Sequence, residues 1–161
     1  MKWRDTRQGK LATDASEFSS KGNHAKALLL IEEALALSPK DPMVLVYQGR
    51  VLLALGRHDD AEQSLRAALG IDGNLPYAWN ELGMLMQSRG AFEKAAFCYE
   101  QSAGISLSVE VLTMLANVQL AFDPEKAIET AERALSVDSE WTEAQAVRNA
   151  AKNEIRRRSE E

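Results

Sequence analysis

The chain has a single cysteine, Cys98, among 161 residues. An intrachain disulfide and a multi-cysteine metal cluster are therefore both excluded. Histidine is nearly as scarce, with only His24 and His58, and no further ligands stand at zinc-binding spacing from them. Long apolar runs are missing, so no membrane insertion is expected. The opening Met1-Lys2-Trp3-Arg4-Asp5 turns charged at once and lacks the apolar stretch of a secretory signal; a cytoplasmic location is the expectation. There is no basic surplus either. The formal net charge is -5, which argues against a nucleic-acid partner. The one dense basic run, Arg156-Arg157-Arg158, reads as a solvated helix end offset by Glu160 and Glu161, where cations also suit the helix dipole. The glycines are isolated rather than gathered into a phosphate-cradling loop, and no cofactor is expected.

What is present is internal repetition. Ala27, Ala61, Ala95 and Ala127 are spaced by 34, 34 and 32 residues. Seven residues after each stand Ala34, Ala68, Ser102 and Ala134, all small, and three further on Leu37, Ile71, Ile105 and Val137, all apolar. Upstream, Gly22, Gly56 and Gly90 are 34 apart, and Ala15, Gly49, Gly83 and Ala116 form another small-residue column. Leu11, Leu45, Trp79 and Leu112 stand four residues before that column, and Phe18, Leu52 and Met86 extend the apolar face, which Gln119 breaks in the fourth copy. Small residues recur where helices cross closely, and large apolar residues at three- and four-residue steps mark one helix face. The glycines fall between two such helices, where positive φ closes a helix C-terminus. Each unit is read as two antiparallel helices and a turn, which must stack on neighbours to bury both faces.

The stretch Ala78-Trp79-Asn80-Glu81-Leu82-Gly83, followed by Gly90-Ala91-Phe92-Glu93-Lys94-Ala95 and Tyr99, resembles a tetratricopeptide repeat in residue order and in its 34-residue period. The resemblance runs over about residues 8–155. It implies an all-α, right-handed superhelical solenoid of antiparallel helix pairs, read as a single domain over 1–161 with repeats at about 8–41, 42–75, 76–108 and 109–140. The fourth repeat is two residues short and carries Asp123-Pro124-Glu125 in place of the turn glycine, which reads as N-cap, first-turn proline and first-turn acid. The segment at about 140–156 is expected to be a capping helix. Its apolar stripe is Ala144, Val147, Ala151 and Ile155, its outer face carries Gln145 and Lys152, and Trp141 sits at the junction.

No catalytic residues and no metal ligands are expected, and the chain is read as a non-enzyme. His24 and His58 occupy the repeat slot that Phe92 fills in the third unit, which points to packing between paired helices. Glu32-Glu33 and Asp59-Asp60 are adjacent on helices, so their carboxylates do not face each other. Cys98 has no evident neighbour to lower its pKa.

By resemblance, the first helices line a concave surface suited to a protein or peptide partner. The residues expected to line it are Val46, Arg50, Leu53, Tyr77, Asn80, Met84, Gln87 and Asn117, with Met43 beside them and Glu110 and Thr113 in the fourth unit. Ala12, Ser16 and Ser19 are expected to leave room in the first unit for a bulky ligand side chain. Methionine adapts to irregular partners, carboxamides satisfy peptide amides, and Arg50 is the cation able to take a carboxylate. Leu29 and Phe97 occupy outward slots on second helices, a second surface consistent with weak self-association. The expected role is an adaptor; the alternatives are a self-assembling structural scaffold or a secretion chaperone of the same repeat type. Some tetratricopeptide co-chaperones clamp acidic chaperone tails with Lys, Asn and Arg. The matching slots here carry Ala12 and Ser16 in the first unit and Tyr77 and Glu81 in the third, so the clamp is missing. Calorimetry with an acidic C-terminal peptide is expected to show no specific binding; micromolar affinity would overturn this.

Overall fold

The computed structural model describes residues 2–160. Among them are a single 3-10 turn, Trp3–Asp5, and nine α-helices with no strand. The helices are α1 (Arg7–Ser20), α2 (His24–Leu37), α3 (Pro42–Ala54), α4 (His58–Ile71), α5 (Pro76–Ser88), α6 (Phe92–Ile105), α7 (Val109–Gln119), α8 (Pro124–Val137) and α9 (Thr142–Ser159). They form two compact units, one up to Glu81 and one from Leu82 onward, so that the boundary falls within α5.

In the first unit α1 pairs with α2 and α3 with α4, and α3 packs on the first pair. The helix starts follow from local chemistry. Thr6 accepts a hydrogen bond from the Gly9 amide, Asn23 from Lys26, and Asp41 from Met43 and Val44, with Pro42 in the first turn. Such side chains satisfy amides that the helix cannot. The turns between paired helices close through Gly22 and Gly56 at φ +79° and +71°, a conformation that side-chain-bearing residues rarely take. Close crossing explains the small-residue column. A Cβ on Gly49 would stand 2.7 Å from the Leu65 Cγ, and Ala15, Ala27 and Ala61 are completely buried. The core around them holds Ile31, Val44, Tyr47 and Val51, with Trp3 and Phe18 packed against it.

The histidines depart from the sequence expectation. His24 and His58 are the first residues of α2 and α4. His24 is half-buried, with Nδ1 3.2 Å from the Ser19 hydroxyl, and His58 is exposed. The rings edge the pairs rather than fill them, because a helix's first residue lies beyond the crossing point.

The second unit repeats this logic. Gly83 is pressed against Tyr99, whose ring would lie 2.7 Å from an added Cβ, and Gly90 has φ +71°. Asp123 accepts from the Lys126 amide ahead of Pro124, so α8 begins as the Asp-Pro-Glu triplet implies. Trp141 packs on Ala103, Leu112, Ala134 and Ala144. In α9, Ala144 and Ala151 are buried, Val147 and Ile155 half-buried and Lys152 exposed. The basic run is balanced differently from the expectation: Glu154, one turn back, pairs with Arg157 and Arg158 at 2.8 and 2.9 Å. Those two guanidiniums hold the Glu154 carboxyl down to about 2.

Gln119 closes α7 fully buried at 0% exposure, and neither its carbonyl nor its amide has a protein partner. A buried polar atom left unsatisfied costs about 1–3 kcal/mol. The three other copies place Phe18, Leu52 and Met86 in this slot. Gln119→Met keeps the length of the side chain and removes both orphan atoms, so it is expected to raise unfolding stability by about 1–3 kcal/mol, measured by chemical denaturation followed by circular dichroism.

Candidate functional site

In the first unit the candidate residues come from α3 and the start of α5. Val46 is corrected at once. It is 1% exposed and belongs to the interior, because α3 is covered on more than one side and Val44, Val46 and Tyr47, which point in different directions around the helix, are all buried. Ala12 and Ser19 are likewise buried and Ser16 is half-buried, so the space expected beside them is already filled by the chain's own packing. Leu53 and Met43 are half-buried, Arg50 is exposed, and Tyr77 is 62% exposed.

Arg50 is not a free cation. Its Nε stands 2.9 Å from Glu81 Oε1, and its guanidinium lies 5.7 Å from the centre of the Tyr47 ring. Tyr47 in turn stacks on Trp3 at 5.7 Å with 13° between the ring planes, and the Trp3 indole N–H donates to Asp41 Oδ2 at 2.7 Å. Burial pushes the Glu81 carboxyl upward, and the charge of Arg50 works against that shift. The result is a partly desolvated ion pair with little net charge, joining α3 to α5. Beside Glu81 in the chain, Asn80 is half-buried and its Oδ1 has no protein partner. That oxygen is itself buried, so the acceptor open on this face is the carboxylate of Glu81. Sequence reasoning placed Glu81 only as a mismatch to an acidic-tail clamp. Its bond to Arg50 spans 31 residues, and the only signal for it was two opposite charges on first helices one repeat apart.

In the second unit Met84 and Asn117 are exposed, and Gln87 is half-buried. Gln87 Oε1 already accepts from the Tyr99 hydroxyl at 2.9 Å, which leaves its amide nitrogen as the group available to a ligand. Thr113 turns its hydroxyl back to the Val109 carbonyl at 2.7 Å, and Glu110 is held below the usual carboxylate range by its hydrogen bond from Ser108. On the second helices Leu29 and Phe97 are exposed, as their outward slots imply. Cys98 is buried. Among the described residues no three His, Cys, Asp or Glu side chains gather as a metal site, and no helix is long and apolar enough to cross a membrane.

The tetratricopeptide-repeat family pattern matches residues 14–76. Protein O-mannosyl-transferase TMTC1 of Mus musculus is 34% identical over 88 residues, which is 52% of this chain and 9% of that protein. The chain therefore spans less than a tenth of this curated relative. Among solved structures, Pseudomonas aeruginosa pilF superposes with a TM-score of 0.84 at 19% identity, covering 97% of this chain and 72% of that one. The first tetratricopeptide domain of Spaghetti (RPAP3), bound to the HSP90 peptide SRMEEVD, superposes with a TM-score of 0.64 at 16% identity, over 71% of this chain and 92% of that one. At these identities the two structures establish the fold, which is all-α and of tetratricopeptide type.

Glu81 is the group that occupies Arg50, so removing its charge should release the guanidinium. Glu81→Gln is expected to tighten binding of an acidic probe peptide by about tenfold, the worth of one charge-assisted hydrogen bond, measured by calorimetry against the unmodified chain.

Proposed function

We propose that this tetratricopeptide-repeat protein is an interaction scaffold that holds an extended, non-acidic peptide segment of a partner protein on the first-helix face of its first unit. The observation that carries this reading is the Arg50–Glu81 pair at 2.9 Å, flanked by exposed Tyr77 and half-buried Leu53, Met43 and Asn80. Each part supports one element of recognition. Tyr77 offers a large apolar ring with a polar tip, a side-chain type that dominates binding energy at protein interfaces. Leu53 and Met43 add apolar area. The carboxylate of Glu81, still partly exposed, supplies an acceptor for a backbone N–H group or a basic side chain, and half-buried Asn80 borders it on the same helix.

The neutralised arginine also sets what is rejected. An acidic segment would have to displace Glu81 from Arg50 and leave a desolvated carboxylate unpaired, which is costly in a partly buried setting. The peptide bound by the RPAP3 neighbour, SRMEEVD, carries three acids; that neighbour supports peptide holding as a use of the fold, and this chain is proposed to differ in the charge it accepts. In the second unit, Met84, Asn117 and the free amide nitrogen of Gln87 are proposed as a separate contact surface of similar, uncharged character. Recognition of this kind works by pre-organisation, since rigid helices lose little freedom on binding.

The test is a fluorescent array of neutral, basic and acidic peptides, followed by affinity measurements on the best neutral or basic binder. Tyr77→Ala and Asn80→Ala are each expected to weaken it by about tenfold or more, with helicity unchanged by circular dichroism. Preferential capture of acidic peptides, or affinity in both variants unchanged from that of the unmodified chain, would sink the assignment.

A further inference from the structure

A cavity of about 770 Å³ opens in the first unit. It lies between the loops joining α2 to α3 and α4 to α5, and its apolar walls are Trp3, Pro39, Pro42, Met43 and Leu75. Asp41 also lines it but offers a ligand little, since one oxygen accepts from the Trp3 indole and the other from the α3 amides. The volume falls within the roughly 300–1,000 Å³ of pockets that enclose small ligands, so the largest amino-acid side chains fit.

The cavity is continuous with one end of the first-helix face. Met43 is both a wall of the cavity and the first apolar residue of that face, and Leu75 stands two residues before exposed Tyr77. From there the face runs along α3 and α5 to the Arg50–Glu81 pair. Arg50 comes seven residues after Met43, and Glu81 six after Leu75. At about 1.5 Å of helix rise per residue, the pair lies about 9–10 Å from the cavity along either helix. An extended peptide covers that distance in about three residues.

We infer that this cavity is the anchor pocket of the peptide site, and that its occupant is an aromatic side chain of the partner segment, about three residues from a lysine or arginine that meets Glu81. This rests on the peptide-holding reading of the face and adds to it the spacing of the ligand. The walls suit a flat ring. Two prolines and an indole present broad apolar surfaces, and the thioether of Met43 makes favourable contacts with aromatic rings. Aromatic side chains also carry large apolar area into a site and dominate binding energy at interfaces. A ring projecting from the peptide enters the concave surface and so touches its walls. The basic residue completes the pattern, because Arg50 engages Glu81 at Oε1 and leaves that carboxylate partly exposed.

Fluorescence anisotropy on the full chain tests this with short synthetic peptides of Ser, Thr and Ala that carry one Trp and one Lys. Their separation is varied, in both orders, from adjacent to about six residues. The tightest binding is expected at a separation of about three, by about fivefold over the adjacent arrangement. Replacing the peptide Trp by Ala should weaken binding to the unmodified chain by about tenfold or more. The same replacement should cost less than about twofold in Ser38→Trp, where a lining residue fills the cavity. Pro39→Glu, at an exposed wall residue, should weaken the Trp peptide by about fivefold and leave its Ala counterpart unchanged. An equal cost in the unmodified chain and in Ser38→Trp, affinity independent of separation, or no binding by any peptide of the set would each overturn the inference. If Tyr77→Ala still weakens binding in the first two cases, the reading of the face stands without it. Dependence on the cavity with no loss in Tyr77→Ala or Asn80→Ala would overturn both. Circular dichroism on each variant separates loss of binding from loss of folding.

Discussion

Close approach of paired helices at residues without bulk is the constraint on which the other features depend. Gly49 lies against Leu65 and Gly83 against Tyr99 with no room for a Cβ, and alanines and Ser102 occupy the remaining positions of the small-residue columns. When backbones come this near, each pair becomes a rigid element, and the side chains at the crossing are dictated by shape rather than by function. Everything available for recognition is displaced to the faces and ends of the pairs. The exposed apolar residues illustrate this. Leu37, Ile71, Ile105 and Val137 each end a second helix, beyond the reach of the crossing that buries the alanine columns before them.

Polar satisfaction follows the same division. Helix starts are closed by local side chains such as Thr6, Asn23, Asp41, Ser108 and Asp123. Asp41 does two tasks, since it caps α3 and anchors the indole of Trp3. That indole stacks on Tyr47, whose ring also receives Arg50, so the beginning of the chain is linked by direct contact to the ion pair on the candidate binding face. Where the repeat loses its regularity, in the fourth copy, satisfaction fails as well, and Gln119 is buried with both polar atoms unpaired. Repetition normally supplies a tested residue at each slot, and a departure at a buried slot has no solvent to absorb the misfit.

Much of the helical arrangement was legible beforehand. The alanine and glycine columns, the positive-φ turns and the Asp123-Pro124 helix start all follow from spacing and turn chemistry, and they are found in the structure. The candidate site was legible only in outline. Val46 shares its helix with Arg50 and Leu53, and a three- to four-residue spacing does not tell a face turned to solvent from one turned to a neighbouring helix. Arg50 looked like an available cation because its partner lies on another helix. The small side chains of Ala12 and Ser19 looked like vacant space, whereas small residues in a crossing are small because the space is taken.

Sequence by itself determined the helical type, the unit length and the positions of crossings and turns, because these rest on local conformational preference and on a period repeated through the chain. Tertiary structure alone decided which residues are free to act. Exposure, the pairing of Arg50 with Glu81 and the cavity walled by Trp3, Pro42 and Leu75 all arise between segments far apart in the chain. Burial and electrostatic pairing are properties of distances in space, and no local pattern of residues encodes them.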